Sequence, residues 1–229
     1  MSRLLAKVCG ITRPQDARLA AALGADMLGF IFHPKSPRNV DSLVPAGLDK
    51  SLDLLGALKV GVFVGQGRDE ILALMAAGGL DLAQLHGGQD EVVCRAIGPE
   101  RVIKVLWPER AANVEAFQAE LDRFASCCRL FLVDAGSGGG GHGREVADHA
   151  GEILAAARFP KPWLLAGGLG PQSIGPALAR LRAKGRGPAG VDMNSGVESA
   201  PGVKDKDKLR AAFAALRAAQ SIQTKGENP

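Results

Sequence analysis

Apolar runs of strand length recur about eight times along this chain, and an amphipathic helical segment fills nearly every interval between them. The runs occupy 4–8, 27–32, 58–64, 80–85, 101–106, 129–133, 163–166 and 190–193. They begin about 21 to 34 residues apart, which is the length that a strand, a crossover helix and two loops require. Helix punctuation supports the alternation. Thr12 and Pro14 open a helix that Gly24 closes, 68–77 runs into Gly78 and Gly79, and 90–97 stops at Gly98 and Pro99. Later helices are expected over 111–125, 144–158, 171–184 and 205–219, whereas Pro45 and Gly47 predict a short or broken helix within 40–56. Eight βα units in about 220 residues favour an α/β chain closed as a single (βα)8 TIM barrel over an open doubly wound sheet. The barrel is expected over 1–222, with a polar tail fraying over 223–229.

Composition agrees with that architecture and narrows the partners. Hydrophobic residues make up 46% of the chain but aromatic ones only 4%, with no Tyr, so Ala, Leu, Val and Ile must fill the core. The net charge of +4 is dispersed rather than gathered in a basic block, which suits an anionic small molecule and gives no sign of a nucleic-acid surface. The densest charged run, Lys204-Asp205-Lys206-Asp207-Lys208, alternates in sign and reads as a solvated helix start. Cys9, Cys94, Cys127 and Cys128 show no C-x-x-C spacing and no secretory leader precedes them, so reduced thiols and a cytoplasmic location are expected. No apolar stretch approaches the roughly 18 residues of a membrane span. Nothing in the sequence points to a protein partner.

In a (βα)8 barrel the loops that leave the C-terminal ends of the strands converge on one mouth, and the chemistry belongs there. The strand exits carry Cys9, Phe32 followed by Ser36 and Arg38, Gln66, Gln84 and His86, Trp107, Asp134, Gly167 and Gly168, and Asp192 with Asn194 and Ser195. Glycine turns after strands seven and eight, with Ser195 opening a short helix before Gly196, offer backbone amides to a phosphate dianion. Cys9 at the mouth is a candidate base or nucleophile. Asp134 ends the apolar strand Leu130-Phe131-Leu132-Val133, where desolvation raises a carboxyl pKa towards that of a general acid. Strands one and six are expected on facing sides, which suits an acid and base pair. The segment 136–143 contains a G-x-G-x-x-G match, but six glycines in eight positions produce it by composition, and a lid over the ligand is the better reading.

The segments Lys7-Val8-Cys9-Gly10-Ile11-Thr12, Gly29-Phe30-Ile31-Phe32, Ser36-Pro37-Arg38, Val60-Gly61-Val62-Phe63 and Gln84-Leu85-His86-Gly87 extend this pattern. With them stand Leu132-Val133-Asp134, Leu165-Ala166-Gly167-Gly168-Leu169, Val191-Asp192-Met193-Asn194-Ser195-Gly196-Val197-Glu198 and Pro201-Gly202-Val203-Lys204-Asp205. In this order they resemble the phosphoribosylanthranilate isomerase family of tryptophan biosynthesis. The resemblance implies an Amadori rearrangement of a phosphosugar substrate, N-(5-phosphoribosyl)anthranilate, without cofactor or metal. It implies Asp134 as general acid and Cys9 as general base. It further implies Arg38 on the anthranilate carboxylate, Gln84, His86 and Asp192 as other substrate contacts, and phosphate on Gly167, Gly168, Asn194, Ser195 and Gly196. The chain departs from the family pattern over 138–146, and Asn194 stands where Ser is common.

Two alternatives stay open at this level. Another phosphosugar enzyme on the same barrel would use a Schiff-base lysine or a metal, and Lys104, near the end of a central strand, is the lysine to consider. A barrel that binds ligand without turning it over is the second.

Overall fold

The computed structural model describes residues 3–50, 53–135, 148–183 and 187–225. Eight parallel strands form a closed barrel in sequence order: β1 (Leu5–Val8), β2 (Met27–Phe32), β3 (Leu58–Phe63), β4 (Leu82–Leu85), β5 (Val102–Leu106), β6 (Leu130–Asp134), β7 (Trp163–Ala166) and β8 (Gly190–Met193). Closure is made by β8 on β1, where Lys7 is the register partner of Asp192. The strands are shorter at their entries than the apolar runs suggest. Leu80, Arg101 and Arg129 stand before β4, β5 and β6, and Arg101 instead donates to the carbonyls of Leu80 and Asp81.

Helices α1 (Pro14–Leu23), α3 (Arg68–Gly78), α4 (Glu91–Ile97), α5 (Val114–Phe124), α6 (Asp148–Ala156), α7 (Ile174–Ala183) and α8 (Lys206–Lys225) surround the barrel. Pro fits the first turn of α1, which has no use for its missing N–H, and Gly24 ends that helix in the left-handed conformation at φ 101°. Between β2 and β3 the helix is a four-residue remnant, α2 (Leu43–Ala46), as Pro45 and Gly47 predict. Helix α8 runs to Lys225. The glycine-rich segment 136–147, with its expected lid and the start of the sixth helix, lies outside the described residues.

Strand alternation sorts the side chains into two cores. Even-numbered residues of β1 and β2, such as Ala6, Val8, Leu28 and Phe30, pack outward under the helices. A smaller inner cluster of Met27, Val60, Leu82, Ile103, Val105, Leu130, Leu132, Leu164 and Ala166 fills the barrel with aliphatic volume, so aromatic rings are not needed there. Above this floor the inner surface turns polar, beginning with Lys7, Gln84 and Asp192, all buried. Beyond β8 the chain makes a 3₁₀ turn at Ser195–Val197 and an antiparallel hairpin, β9 (Glu198–Ala200) with β10 (Val203–Lys204). Thr12 Oγ1 donates to the Gly202 carbonyl at 2.6 Å, tying this hairpin to the loop after β1.

Candidate active site

The strand ends open into a cavity of about 880 Å³ lined by Cys9, Arg38, Gln84, His86, Trp107, Asp134, Gly167, Gly168, Asp192, Asn194 and Ser195, among others. Every side chain singled out at the strand exits for substrate or chemistry therefore faces one space. Gly196 is not among the lining residues. A Cβ on Gly196 would lie 2.3 Å from the Leu169 carbonyl oxygen, so its glycine is explained by close packing of the loops after β7 and β8.

Cys9 continues β1, and its amide donates to the Met193 carbonyl at 2.8 Å. Its side chain is buried beside Lys7, whose Nζ donates to Asp192 Oδ1 at 2.9 Å. Burial pushes the Cys9 thiol up, Lys7 opposes that shift, and Asp192 reinforces it. Burial also raises Asp192 against the pull of Lys7. The lysine itself is held above its ordinary value because Asp192 and Cys9 outweigh the cost of its burial. Gly10, at φ 70°, makes the turn out of β1. A side chain there would meet Asn194 Oδ1 at 2.5 Å and Arg38 Cδ at 2.8 Å.

Arg38 does not wait with an open fork. Its Nε donates to Glu198 Oε1 and Oε2 at 3.0 and 3.1 Å, and Nη2 donates to Oε2 at 2.7 Å. Lys204 Nζ reaches Glu198 Oε1 at 2.8 Å and Asn194 Oδ1 at 3.0 Å. Burial works against the Glu198 charge, yet the bonds from Arg38 and Lys204 win and hold its carboxyl low. Lys204 is only 4% exposed, which corrects the reading of 204–208 as a solvated helix start. The solvated part begins at Lys206, because the hairpin folds Lys204 back over the barrel. Asn194 likewise spends its side-chain oxygen on Lys204.

On the other side of the mouth the groups are aromatic rings, with one cation, Arg110, stacked on them. His86 lies edge-on to Trp107, with ring centroids 5.1 Å apart, and the Arg110 guanidinium stacks on Trp107 at 4.0 Å. Burial, helped by Lys7 and Arg110, lowers the His86 pKa to about 4, so its imidazole is uncharged near neutrality. Gln84 Oε1 and Trp107 Nε1 are buried without a hydrogen-bond partner among the described residues.

Asp134 closes β6, half-buried at the cavity wall. Strands β1 and β6 are not diametrically opposed. Counted round the barrel, β7 and β8 lie between them, so the glycine turns occupy the arc that joins thiol and carboxyl. Gly167 and Gly168 have φ of 113° and 69°, a conformation that favours glycine. Lys104 faces outward: its Nζ donates to the Gly87 and Gln89 carbonyls at 3.2 and 2.9 Å and lies over the Phe124 ring of α5. The Schiff-base alternative built on it is thereby removed. No cluster of metal-ligating side chains occurs among the described residues.

Sequence reasoning did not single out Lys7, Glu198, Lys204 or Arg110 as parts of the site. For Lys7 a signal existed, since it is the lone charge in an apolar strand and shares the parity of Cys9. For Glu198 and Lys204 the signal is spatial and appears only with the hairpin.

A closed parallel barrel whose mouth holds a thiol, a carboxyl and glycine turns between them defines a (βα)8 enzyme of acid and base chemistry. The family model for N-(5'phosphoribosyl)anthranilate (PRA) isomerase matches residues 6–215, and the chain belongs to that family. An N-(5'-phosphoribosyl)anthranilate isomerase of Maridesulfovibrio salexigens is 51% identical over 213 residues, covering 93% of this chain and 98% of its own. The crystal structure of phosphoribosyl anthranilate isomerase from Thermus thermophilus superposes with a TM-score of 0.76 at 36% identity, covering 94% of this chain and 99% of that one. A second structure, of the family enzyme in complex with reduced 1-(o-carboxyphenylamino)-1-deoxyribulose 5-phosphate, gives a TM-score of 0.72 at 28% identity over the same shares of the two chains. The chain is thus an isomerase of tryptophan biosynthesis that converts N-(5-phosphoribosyl)anthranilate to 1-(2-carboxyphenylamino)-1-deoxyribulose 5-phosphate. No helix among the described residues is long and apolar enough to cross a membrane.

Proposed function

We propose that Asp134 and Cys9 carry the two proton transfers of this isomerisation. Asp134 donates a proton to the furanose ring oxygen. The C1–O bond breaks, that oxygen leaves as a hydroxyl, and the anthranilate nitrogen lone pair forms an iminium at C1. The Cys9 thiolate then takes the proton from C2, and the C–H electrons make the C1–C2 double bond while the iminium pair returns to nitrogen. The resulting enolamine tautomerises to the ketone. All electrons stay within the substrate, so the chemistry calls for no redox partner. The observation that carries this assignment is the placement of both groups on one cavity, with the glycine turns of β7 and β8 between them.

The phosphate sits at those turns, on Gly167 and Gly168 with the amides of Asn194, Ser195 and Gly196 beside them. Arg38 binds the anthranilate carboxylate through Nη1, the guanidinium nitrogen that Glu198 leaves uncommitted. Gln84 and His86 complete the ring side of the pocket, and Asp192 acts beneath the sugar. A solved relative that holds a reduced product supports a phosphosugar ligand of this length. The cytoplasm suits the enzyme, whose four cysteines are free thiols.

The test is direct. Phosphoribosylanthranilate generated in situ loses its fluorescence when the protein is added, and Cys9→Ser or Asp134→Asn slows that loss. A variant that retains near-normal turnover removes its residue from the mechanism. A wild-type protein that binds a product analogue and never quenches the signal would leave a binding barrel instead of an enzyme.

A further inference from the structure

Lys7 is fully buried inside the barrel, two residues before Cys9 on the same face of β1, and an ammonium in that place needs partners for all three of its protons. One goes to Asp192 Oδ1 at 2.9 Å. Gly29 shows where the rest of the head group leans. It sits on β2 beside Cys9, and a Cβ built there would lie 2.7 Å from Cys9 Sγ and 3.1 Å from Lys7 Nζ. Sulfur and ammonium thus crowd over the same bare Cα, within about 6 Å of each other, the range in which an opposite charge favours an ionised group.

We propose that Lys7 is a positioning residue that shares one ammonium between two acids, Asp192 and Cys9, and that this sharing sets the fraction of Cys9 present as thiolate. Gly29 provides the room in which the sharing takes place. When Cys9 accepts the C2 proton it becomes neutral, and the ammonium returns wholly to Asp192 without itself losing a proton. The inference rests on the assignment of Cys9 as base.

Other charges near the sulfur do not duplicate this role. Arg38, from the loop after β2, and Lys204, from β10, face the Cys9 side of the cavity, but both are bonded to Glu198. Asp192, from β8, is the neighbouring anion, and His86, from β4, is neutral. Lys7 is the cation that stands between the sulfur and a competing carboxylate.

Two substitutions should move Cys9 in opposite directions. The readout is the rate at which iodoacetamide alkylates Cys9, followed against pH by mass spectrometry of the Cys9 peptide, with circular dichroism as the control for folding. Lys7→Gln should slow alkylation near neutral pH by about tenfold, equivalent to one pH unit, and move the acidic limb of kcat/KM upward with it. Lys7→Arg should restore much of the rate. Asp192→Asn should accelerate alkylation, since the whole ammonium then falls to the thiolate. A structural role for Lys7 predicts loss of folding without this opposition of sign. An unchanged alkylation profile in Lys7→Gln, or an Asp192→Asn profile that is unmoved or shifted the same way, overturns the proposal. Should Lys7→Gln fail to fold, Asp192→Asn alone decides it by its direction. If Cys9 is not the base, Cys9→Ser stays active while these alkylation profiles still report the coupling, so the two failures are distinguishable.

Discussion

The two sides of the barrel mouth are built on opposite principles. From β8 through β1 to β2 the polar side chains form closed sets: Lys7 with Asp192 and Cys9, and Arg38 with Glu198, Lys204 and Asn194. Across the mouth, on β4 and the loop after β5, the two buried side-chain atoms without partners among the described residues are Gln84 Oε1 and Trp107 Nε1. Buried polar groups left unpaired cost free energy. The first side is therefore largely paired before substrate arrives, with Arg38 Nη1 left over, as charge stabilisation by fixed groups requires. The second keeps an acceptor and a donor in reserve, and on the proposed function its uncharged imidazole and stacked Trp107–Arg110 pair would meet the flat anthranilate ring.

Breaking the finished side should have the largest consequence. Glu198 holds two cations, one of them the buried Lys204, so Glu198→Gln leaves uncompensated charge inside the protein. The expected loss is about 3–5 kcal/mol of unfolding free energy by chemical denaturation. A loss within the ordinary range for a surface ion pair would mean that Arg38 and Lys204 find water instead, and that this side is less closed than its hydrogen bonds imply. Next come the reacting groups. Cys9→Ser and Asp134→Asn should each lower kcat by at least about 10²-fold with little change in the denaturation midpoint.

Much of this site was legible in the sequence because barrel geometry says where to look. A strand exit is a site position wherever the strand lies, so counting βα units was enough to place Cys9 and Asp134 at the mouth, where both line the cavity. What could not be read was parity and return. From sequence alone, Lys104 on an apolar strand could face either side of the sheet. With Ile103 and Val105 inside the barrel, alternation turns Lys104 outward to α5. Lys204 sits in a run whose alternating signs look solvated. The β9–β10 hairpin turns that run back over Glu198, an effect of tertiary structure that local charge patterning does not carry. The same limit explains Glu198, which is quoted in a motif yet gains meaning only against Arg38.

His86 tests the second side through pH. Its pKa, lowered to about 4 by burial and by neighbouring cations, lies below the unfolded value near 6.5, so the folded state resists protonation. Stability from this group is fully present above pH 6.5 and is lost as pH falls through about 4, by at most roughly 3 to 4 kcal/mol. His86→Phe should flatten the decline of the denaturation midpoint between those pH values. A wild-type decline that survives the substitution unchanged would assign it to other groups. Arg38→Ala belongs below this in effect: if the proposed contact of its Nη1 serves binding, KM should rise about tenfold and more than kcat falls. The opposite split would move Arg38 from binding to the chemical step.

The smallest effect is the most informative about the contrast between the two sides. Gln84→Met keeps nearly the same volume and length but deletes the orphaned Oε1. In the free enzyme nothing is lost at that oxygen, since it accepts no bond among the described residues, and only the long 3.4 Å contact between Nε2 and His86 Nδ1 disappears. Removing an unsatisfied buried acceptor should therefore stabilise the protein, by about 1 kcal/mol. The substrate, however, loses the acceptor it was to satisfy, so KM should rise as the melting temperature rises. Such opposed signs are the mark of a group left unpaired for a ligand. If stability and affinity fall together, Gln84 is instead a packed part of the barrel wall, and the second side of the mouth is no less finished than the first.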